Sequence, residues 1–268
     1  MTFAKSKKYL KKIVESSVYD VADITPLSPA GHLSKETKNN IFLKREDLQP
    51  IFSFKLRGAY NKISHLKKLG KVERVITASA GNHAQGVAYS AKKLRLKASI
   101  VMPVTTPSIK VSAVKNLGAQ VILVGDTYDE AYEHAIKLSK KPNYAFVHPY
   151  DDPDVIAGQG TIGKEILDQA GKDLDAVFVP VGGGGLLAGI GAYIKNLRPD
   201  VKIIGVEPEE AAGLYEAIKA NRRVTLKQVG LFVDGVAVKQ VGKVTFPIIN
   251  EWVDEVVTVS VDEICAAI

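Results

Sequence analysis

The chain has 268 residues, a formal net charge of +7, and 24% charged against 46% hydrophobic residues. That length supports one large α/β domain or two modest ones with real cores, and a single cysteine, Cys265, excludes an intrachain disulfide or a cysteine-based metal cluster. The positive balance raises a nucleic-acid reading, but the lysines are scattered among acids and no aromatic-rich strand or zinc module accompanies them, so no nucleic-acid partner is expected.

Lys5, Lys7, Lys8, Lys11 and Lys12 lie on an expected N-terminal helix. No apolar run follows the charged start, so a secretory leader is not expected and the cytoplasm is the default location. Short β-rich runs then alternate with segments of helical apolar spacing. Residues 75–78, 98–102, 121–124 and 144–147 read as buried parallel strands, with helices over 82–94, 109–117 and 128–140. A second series follows, with strands at 176–181, 201–206 and 256–259. Repeated βα units predict an open, mostly parallel sheet with covering helices. The stretch Pro149-Tyr150-Asp151-Asp152-Pro153 is the expected boundary between the two series. Residues 176–194 carry no charge, nearly a membrane span by length, but Pro180 and four glycines in the middle argue against one continuous helix, and no membrane partner is expected.

Those four glycines, Gly182, Gly183, Gly184 and Gly185, stand between an apolar strand and a helix-like run beginning at Leu186. Glycines can turn successive N–H groups inward, and a helix start adds unpaired donors and a positive dipole end, so the turn reads as an anion cup, most often one for phosphate. Gly158-Gln159-Gly160-Thr161-Ile162-Gly163 matches the dinucleotide fingerprint, yet no strand precedes it, and close helix packing is the expected use of these glycines. Ser112-Ala113-Val114-Lys115 matches S-x-x-K without its K-T-G partner and reads as chance. Ser79-Ala80-Gly81-Asn82-His83-Ala84-Gln85-Gly86 follows a strand and opens a helix, which makes it either a second donor-rich turn or simply a capped helix. Lys55, flanked by Phe54 and Leu56, is either a desolvated amine of lowered pKa or a snorkelling helix lysine.

Taken in order, Lys44-Arg45-Glu46-Asp47-Leu48-Gln49-Pro50, Ser53-Phe54-Lys55-Leu56-Arg57-Gly58-Ala59, the segment from Ser79 to Gly86, and Gly182-Gly183-Gly184-Gly185-Leu186 form a specific set. The set resembles the fold type II, tryptophan-synthase β-like pyridoxal-phosphate enzymes and, within them, threonine dehydratases. Gly230-Leu231-Phe232-Val233-Asp234-Gly235-Val236-Ala237-Val238-Lys239 and Asp262-Glu263-Ile264-Cys265-Ala266-Ala267 resemble the biosynthetic, isoleucine-pathway branch. The resemblance implies two open, mostly parallel twisted sheets with helices on both faces and the cofactor in the cleft between two domains. Residues 47–148 would form the small domain, and residues 1–46 with 149–268 the large one.

By the same resemblance, Lys55 holds pyridoxal 5'-phosphate covalently with Phe54 beside the ring, and Asn82 meets the phenolic oxygen. Gly182, Gly183, Gly184, Gly185 and Leu186 cradle the phosphate, Gly235 lies near the ring, and Ser79, Ala80, Gly81, Asn82 and His83 bind the substrate carboxylate. The implied reaction is deamination of L-threonine to 2-oxobutanoate and ammonia with Lys55 as general base, serine being a second substrate one methyl smaller. Ala80 stands where serine racemase-like relatives carry a proton-transferring serine, so elimination rather than racemisation is expected. Glu207 matches one of their cation ligands, but Gly213 stands where their Asp lies, and no metal is expected. A homo-oligomer is implied. The chain ends at Ile268, before the serine by which the resembled family meets the pyridine nitrogen and before its isoleucine-binding domain, so activity reduced or absent without the missing segment, and no isoleucine feedback, are expected. A noncatalytic cofactor-binding fragment, a serine dehydratase- or racemase-like relative, or a module for another phosphate ligand is the alternative.

Overall fold

A computed structural model describes residues 3–70 and 72–268. The helix α1 (Phe3–Val14) is followed by a short antiparallel pair, β1 (Leu27–Pro29) with β2 (Phe42–Lys44), around α2 (Gly31–Thr37). A first α/β series runs α3 (Lys55–Lys68), β3 (Arg74–Ala78), α4 (Asn82–Lys93), β4 (Lys97–Met102), α5 (Ser108–Asn116), β5 (Gln120–Leu123), α6 (Tyr128–Ser139) and β6 (Tyr144–Phe146). The second comprises α7 (Pro153–Ala170), β7 (Ala176–Pro180), α8 (Gly185–Leu197), β8 (Lys202–Pro208), α9 (Gly213–Lys219), α10 (Thr245–Trp252), β9 (Glu255–Val259) and α11 (Val261–Ala267).

Two parallel sheets result, one in the order β5-β4-β3-β6 and the other β7-β8-β9. Every residue of β3 after Arg74 is buried, as a strand covered on both faces requires. The side chains alternate with period two: Val75 packs with Ala59 and Ile63 of α3 and Val87 of α4, while Ile76 and Ala78 pack with Ala131 and Ala135 of α6. The chain steps outward from β3 to β5, then returns across the sheet to place β6 on the other side of β3. A crevice therefore opens between the carboxyl ends of β3 and β6, the place where open α/β sheets bind ligands.

The second sheet packs against α7 and α8 through Val179, Val181, Ile203, Ile156, Leu187 and Ile190, while Phe178 on edge strand β7 is 63% exposed. Helix α7 starts where Asp152 accepts the N–H groups of Asp154 and Val155, with Pro153 in the first turn. Its Gly158 and Gly160 let neighbouring backbones approach, as read from the sequence. A Cβ on Gly158 would lie 2.7 Å from the Arg57 carbonyl oxygen, and one on Gly189 of α8 would lie 2.5 Å from that of Ile156. Ser112 and Lys115 are exposed on α5.

The Gly189 contact is with backbone, which cannot swing aside. Gly189→Ala is therefore expected to lower the melting temperature, losing about 1–3 kcal/mol to overpacking against about 1 kcal/mol gained in helix propensity. Gly31→Ala, where a Cβ meets nothing within 4 Å, is the control. A Gly189→Ala protein as stable as that control would refute the close-packing role.

Candidate active site

Helix α3 begins at Lys55 without a side-chain cap, and Ser53 Oγ accepts the Lys55 N–H at 3.3 Å. Just before it, Phe52 adopts φ 57, a left-handed conformation that costs a non-glycine residue roughly 1–2 kcal/mol. The backbone of Lys55 is held by a close approach from α4, since a Cβ on Gly86 would lie 3.1 Å from the Lys55 carbonyl oxygen. The Lys55 amine donates to the Pro149 carbonyl at 3.2 Å and lies 5.3 Å from the centroid of the Phe54 ring. Lys55 as a whole is half-buried, but the protein packed around its amine pushes the pKa down to about 8. The positive end of α3 acts in the same direction. At neutral pH this leaves about 10²-fold more neutral amine than an ordinary lysine holds.

The crevice between β3 and β6 supplies the next groups. From β3 the chain passes through Ser79, Ala80 and Gly81 into α4, with the Gly81 N–H donating to Ser79 Oγ at 3.3 Å. His83 is buried, and its Nε2 lies 3.0 Å from the Val147 carbonyl just past β6. Burial first, and then the nearby Lys55 charge, push its pKa down to about 3, so the ring is neutral. A carbonyl only accepts, so the proton sits on Nε2. His148 is likewise held neutral, pushed down to about 4 chiefly by burial, and its Nδ1 accepts the N–H groups of Asp151 and Tyr150 at 2.8 and 3.3 Å. Asn82 begins α4 on the exposed side, and its amide has no partner among the described residues.

The four-glycine turn lies beyond β7. Val181 makes the last strand bond, to Val206, and among the described residues nothing accepts the N–H groups of Gly182, Gly183 and Gly184. Gly184 has φ 89 and α8 begins at Gly185, so a left-handed residue feeding a right-handed helix forms an anion-binding nest. Tyr150 explains why no larger residue serves here: a Cβ on Gly183 would overlap its ring at 2.2 Å, and one on Gly185 would lie 3.0 Å from its Cα. Burial pushes the Tyr150 phenol up to about 12, keeping it neutral, and its hydroxyl donates to the Gln240 carbonyl at 3.3 Å. Pro149 touches the lysine amine and Tyr150 backs the glycine turn, so consecutive residues tie the two together. Leu186 follows in the first turn of α8. Val236 packs on Gly182, whereas a Cβ on neighbouring Gly235 would meet nothing within 4 Å. Exposed ion pairs, Asp234 with Lys110 and Lys239 with Asp129, hold this loop against α5 and α6.

Two groups at the site escape notice in the sequence. Tyr150 sits four residues past the end of β6, in a stretch read there only as a boundary, and no local pattern marks its contact with the glycine turn. Arg57, fully buried two residues beyond Lys55, was quoted only as part of a pattern. It donates to both oxygens of Glu46 at 2.8 Å and to Glu165 at 3.0 Å, and Glu165 also pairs with Lys44 at 2.6 Å. Burial opposes its charge, but the hydrogen bonds and charges of Glu46 and Glu165 prevail and hold it above the ordinary arginine value. A cation within an apolar motif was the available clue. Glu207 uses both carboxylate oxygens on the N–H groups of Leu214 and Tyr215, at 2.9 and 2.8 Å, and burial pushes it up to about 7. No cluster of three or more metal-ligating side chains occurs among the described residues.

The sequence profile of pyridoxal-phosphate dependent enzymes matches residues 19–268. The chain belongs to this family. It is 54% identical over 266 residues to the L-threonine dehydratase biosynthetic IlvA of Burkholderia multivorans, covering 98% of this chain and 52% of that protein. The processed form of threonine deaminase isoform 2 from Solanum lycopersicum superposes with a TM-score of 0.97 at 51% identity, over 100% of this chain and 74% of that one. Serine racemase from Dictyostelium discoideum gives 0.89 at 34% identity, over 96% and 83%. The chain spans about half the length of the curated relatives it matches.

The cofactor for which the family is named suits the residues present. Its phosphate needs donors, and three N–H groups with no acceptor among the described residues stand in succession before a helix start. Its aldehyde needs a neutral amine, and the lowered Lys55 pKa raises the share of that form. Lys55 in the ligand-free chain is therefore expected to undergo reductive methylation with a rate half-maximal near pH 8, rising with pH as the amine deprotonates, when followed by mass spectrometry of its peptide. A half-maximum near the ordinary lysine value of about 10.4 would refute the desolvated amine.

Proposed function

We propose that this chain carries the pyridoxal-phosphate-dependent deamination of L-threonine to 2-oxobutanoate and ammonia, the first step of isoleucine biosynthesis. The single observation that carries the reading is the depressed Lys55 amine joined through Pro149 and Tyr150 to an unpaired glycine nest. The names borne by the Burkholderia multivorans and Solanum lycopersicum relatives supply the substrate. In this reading the N–H groups of Gly182, Gly183, Gly184, Gly185 and Leu186 hold the phosphate, Phe54 and Gly235 border the ring, and Asn82 donates its free amide to the phenolic oxygen. The turn formed by Ser79, Ala80, Gly81, Asn82 and His83 takes the threonine carboxylate.

When bound, pyridoxal phosphate supplies an electron sink conjugated to the substrate Cα. Lys55 removes the proton from that carbon, and a pKa near 8 suits a base working at neutral pH. Neutral His83 fixes the carboxylate turn to the end of β6 without adding a charge that would compete for the substrate anion. The Ala80 methyl has no proton to deliver to the opposite side of Cα, which favours elimination over inversion. L-serine fits the same groups, with pyruvate as product, and the loss of one methyl alters transition-state binding by only about 1–3 kcal/mol.

Two domains accompany this reading, residues 47–148 as the smaller and residues 1–46 with 149–268 as the larger, with the reaction in the cleft between them. Support comes from the sheets: β3 to β6 fall wholly within the first span and β7 to β9 within the second. We also assign a homo-oligomeric state and a cytoplasmic location. No helix among the described residues is long and apolar enough to cross a membrane.

Chain mixed with pyridoxal phosphate is expected to turn yellow and to release 2-oxobutanoate from L-threonine. Lys55→Ala should abolish the band and lower turnover by at least about 10³-fold. A colourless, folded wild-type chain would refute the site assignment, and a yellow chain that forms no 2-oxobutanoate from threonine would overturn the enzyme reading in favour of the noncatalytic cofactor-binding fragment.

A further inference from the structure

One side chain behind the glycine turn has no part in the chemistry above. Thr245, fully buried at the start of α10, donates its hydroxyl to the Gly183 carbonyl at 2.7 Å, across 62 positions of sequence. A threonine near a helix start ordinarily serves its own helix by accepting a local N–H. Here Asp151 takes that task, accepting the N–H groups of Lys243, Val244 and Thr245 at 2.8, 2.7 and 3.2 Å. The hydroxyl is thereby left for the glycine turn. Gly242 donates a second bond to the same Gly183 oxygen, at 3.1 Å.

Two donors on one carbonyl fix the orientation of its peptide plane. The described backbone has no cis bonds, and a trans peptide directs its C=O and the following N–H to opposite sides. Holding the Gly183 oxygen toward Thr245 therefore turns the Gly184 N–H away from it, toward the open side of the nest. The closed side is marked by Thr245 and Ile249, which a Cβ on Gly184 would meet at 3.1 and 2.6 Å. Without this restraint a glycine peptide is the easiest of all to flip.

We propose that Thr245 is a positioning residue for the cofactor phosphate: its hydroxyl locks the 183–184 peptide so that the Gly184 N–H is presented to the phosphate as a donor. Asp151 acts one step behind it by holding the 242–245 turn. The inference rests on the reading that the phosphate sits on the four-glycine turn, and its test separates the two.

Affinities for pyridoxal phosphate and for pyridoxal, which lacks the phosphate, are measured by absorbance on the wild-type chain and on Thr245→Val, Thr245→Ser and Thr245→Ala. Wild type is expected to prefer the phosphorylated aldehyde strongly. Thr245→Val should weaken pyridoxal phosphate binding about tenfold while leaving pyridoxal binding unchanged, and Thr245→Ser should restore the preference. A general loosening of the fold would weaken both aldehydes alike. Thr245→Ala, which adds no bulk, carries the same comparison should the valine variant fold poorly. Wild type without a phosphate preference would overturn the placement of the phosphate and this role together. A wild-type preference retained in full by Thr245→Val and Thr245→Ala would overturn this role alone.

Discussion

The short path from His148 to Asp151 governs the rest of the site, because its atoms meet both the lysine amine and the glycine turn. The Pro149 carbonyl receives the Lys55 amine, the Tyr150 ring fills the space beside Gly183, and the Asp151 carboxylate holds the turn behind the glycines. Proline has no N–H and a fixed φ, and the His148 ring accepts the next two N–H groups, so this backbone has little freedom to move. The separation between a nucleophilic amine and an anion nest is thus set by two adjacent residues. Side-chain reach alone would leave it far less defined, and positioning errors of about 1 Å are enough to lose much of an enzyme's rate.

Around that path Lys55 is the cation brought closest to titrating at working pH, its pKa lowered to about 8 by burial. His83 is buried and His148 half-buried, both held neutral, Tyr150 keeps its proton, and the strongest cation nearby, Arg57, is paired with Glu46 and Glu165. The arginine network runs through β2, the segment after it, α3 and α7, and so clamps the first turn of the lysine helix from behind. Breaking a buried network of this kind typically costs about 3–5 kcal/mol, since its partners stay buried without a counter-charge.

Much of this was legible before any coordinates. Seven parallel strands announce themselves as apolar runs, although only β3, β4 and β8 are mostly buried while β5 and β6, expected to be buried, are half-exposed, and α4, α5, α6 and α8 fall where helical segments were read. The glycine turn and Lys55 were legible as chemistry because desolvation and a missing Cβ have local signatures. The β1 and β2 pair was not read, since strands of three residues that include Pro29 and the exposed Phe42 and Leu43 have no periodicity to detect. Neither Tyr150 nor Thr245 could be assigned a role from sequence. Their meaning lies in contacts with Gly183, 33 and 62 positions away by direct subtraction of their numbers, and no local pattern encodes such a contact.

A crystal structure of the chain grown with pyridoxal phosphate would test the central claim most directly. Continuous density should join Lys55 Nζ to the aldehyde carbon, the phosphate oxygens should lie within hydrogen-bond distance of the N–H groups of Gly182, Gly183 and Gly184, and the Tyr150 ring should remain seated against Gly183. Phosphate bound on another element, or a Tyr150 ring displaced from the glycine turn while the phosphate stays ordered, would contradict it.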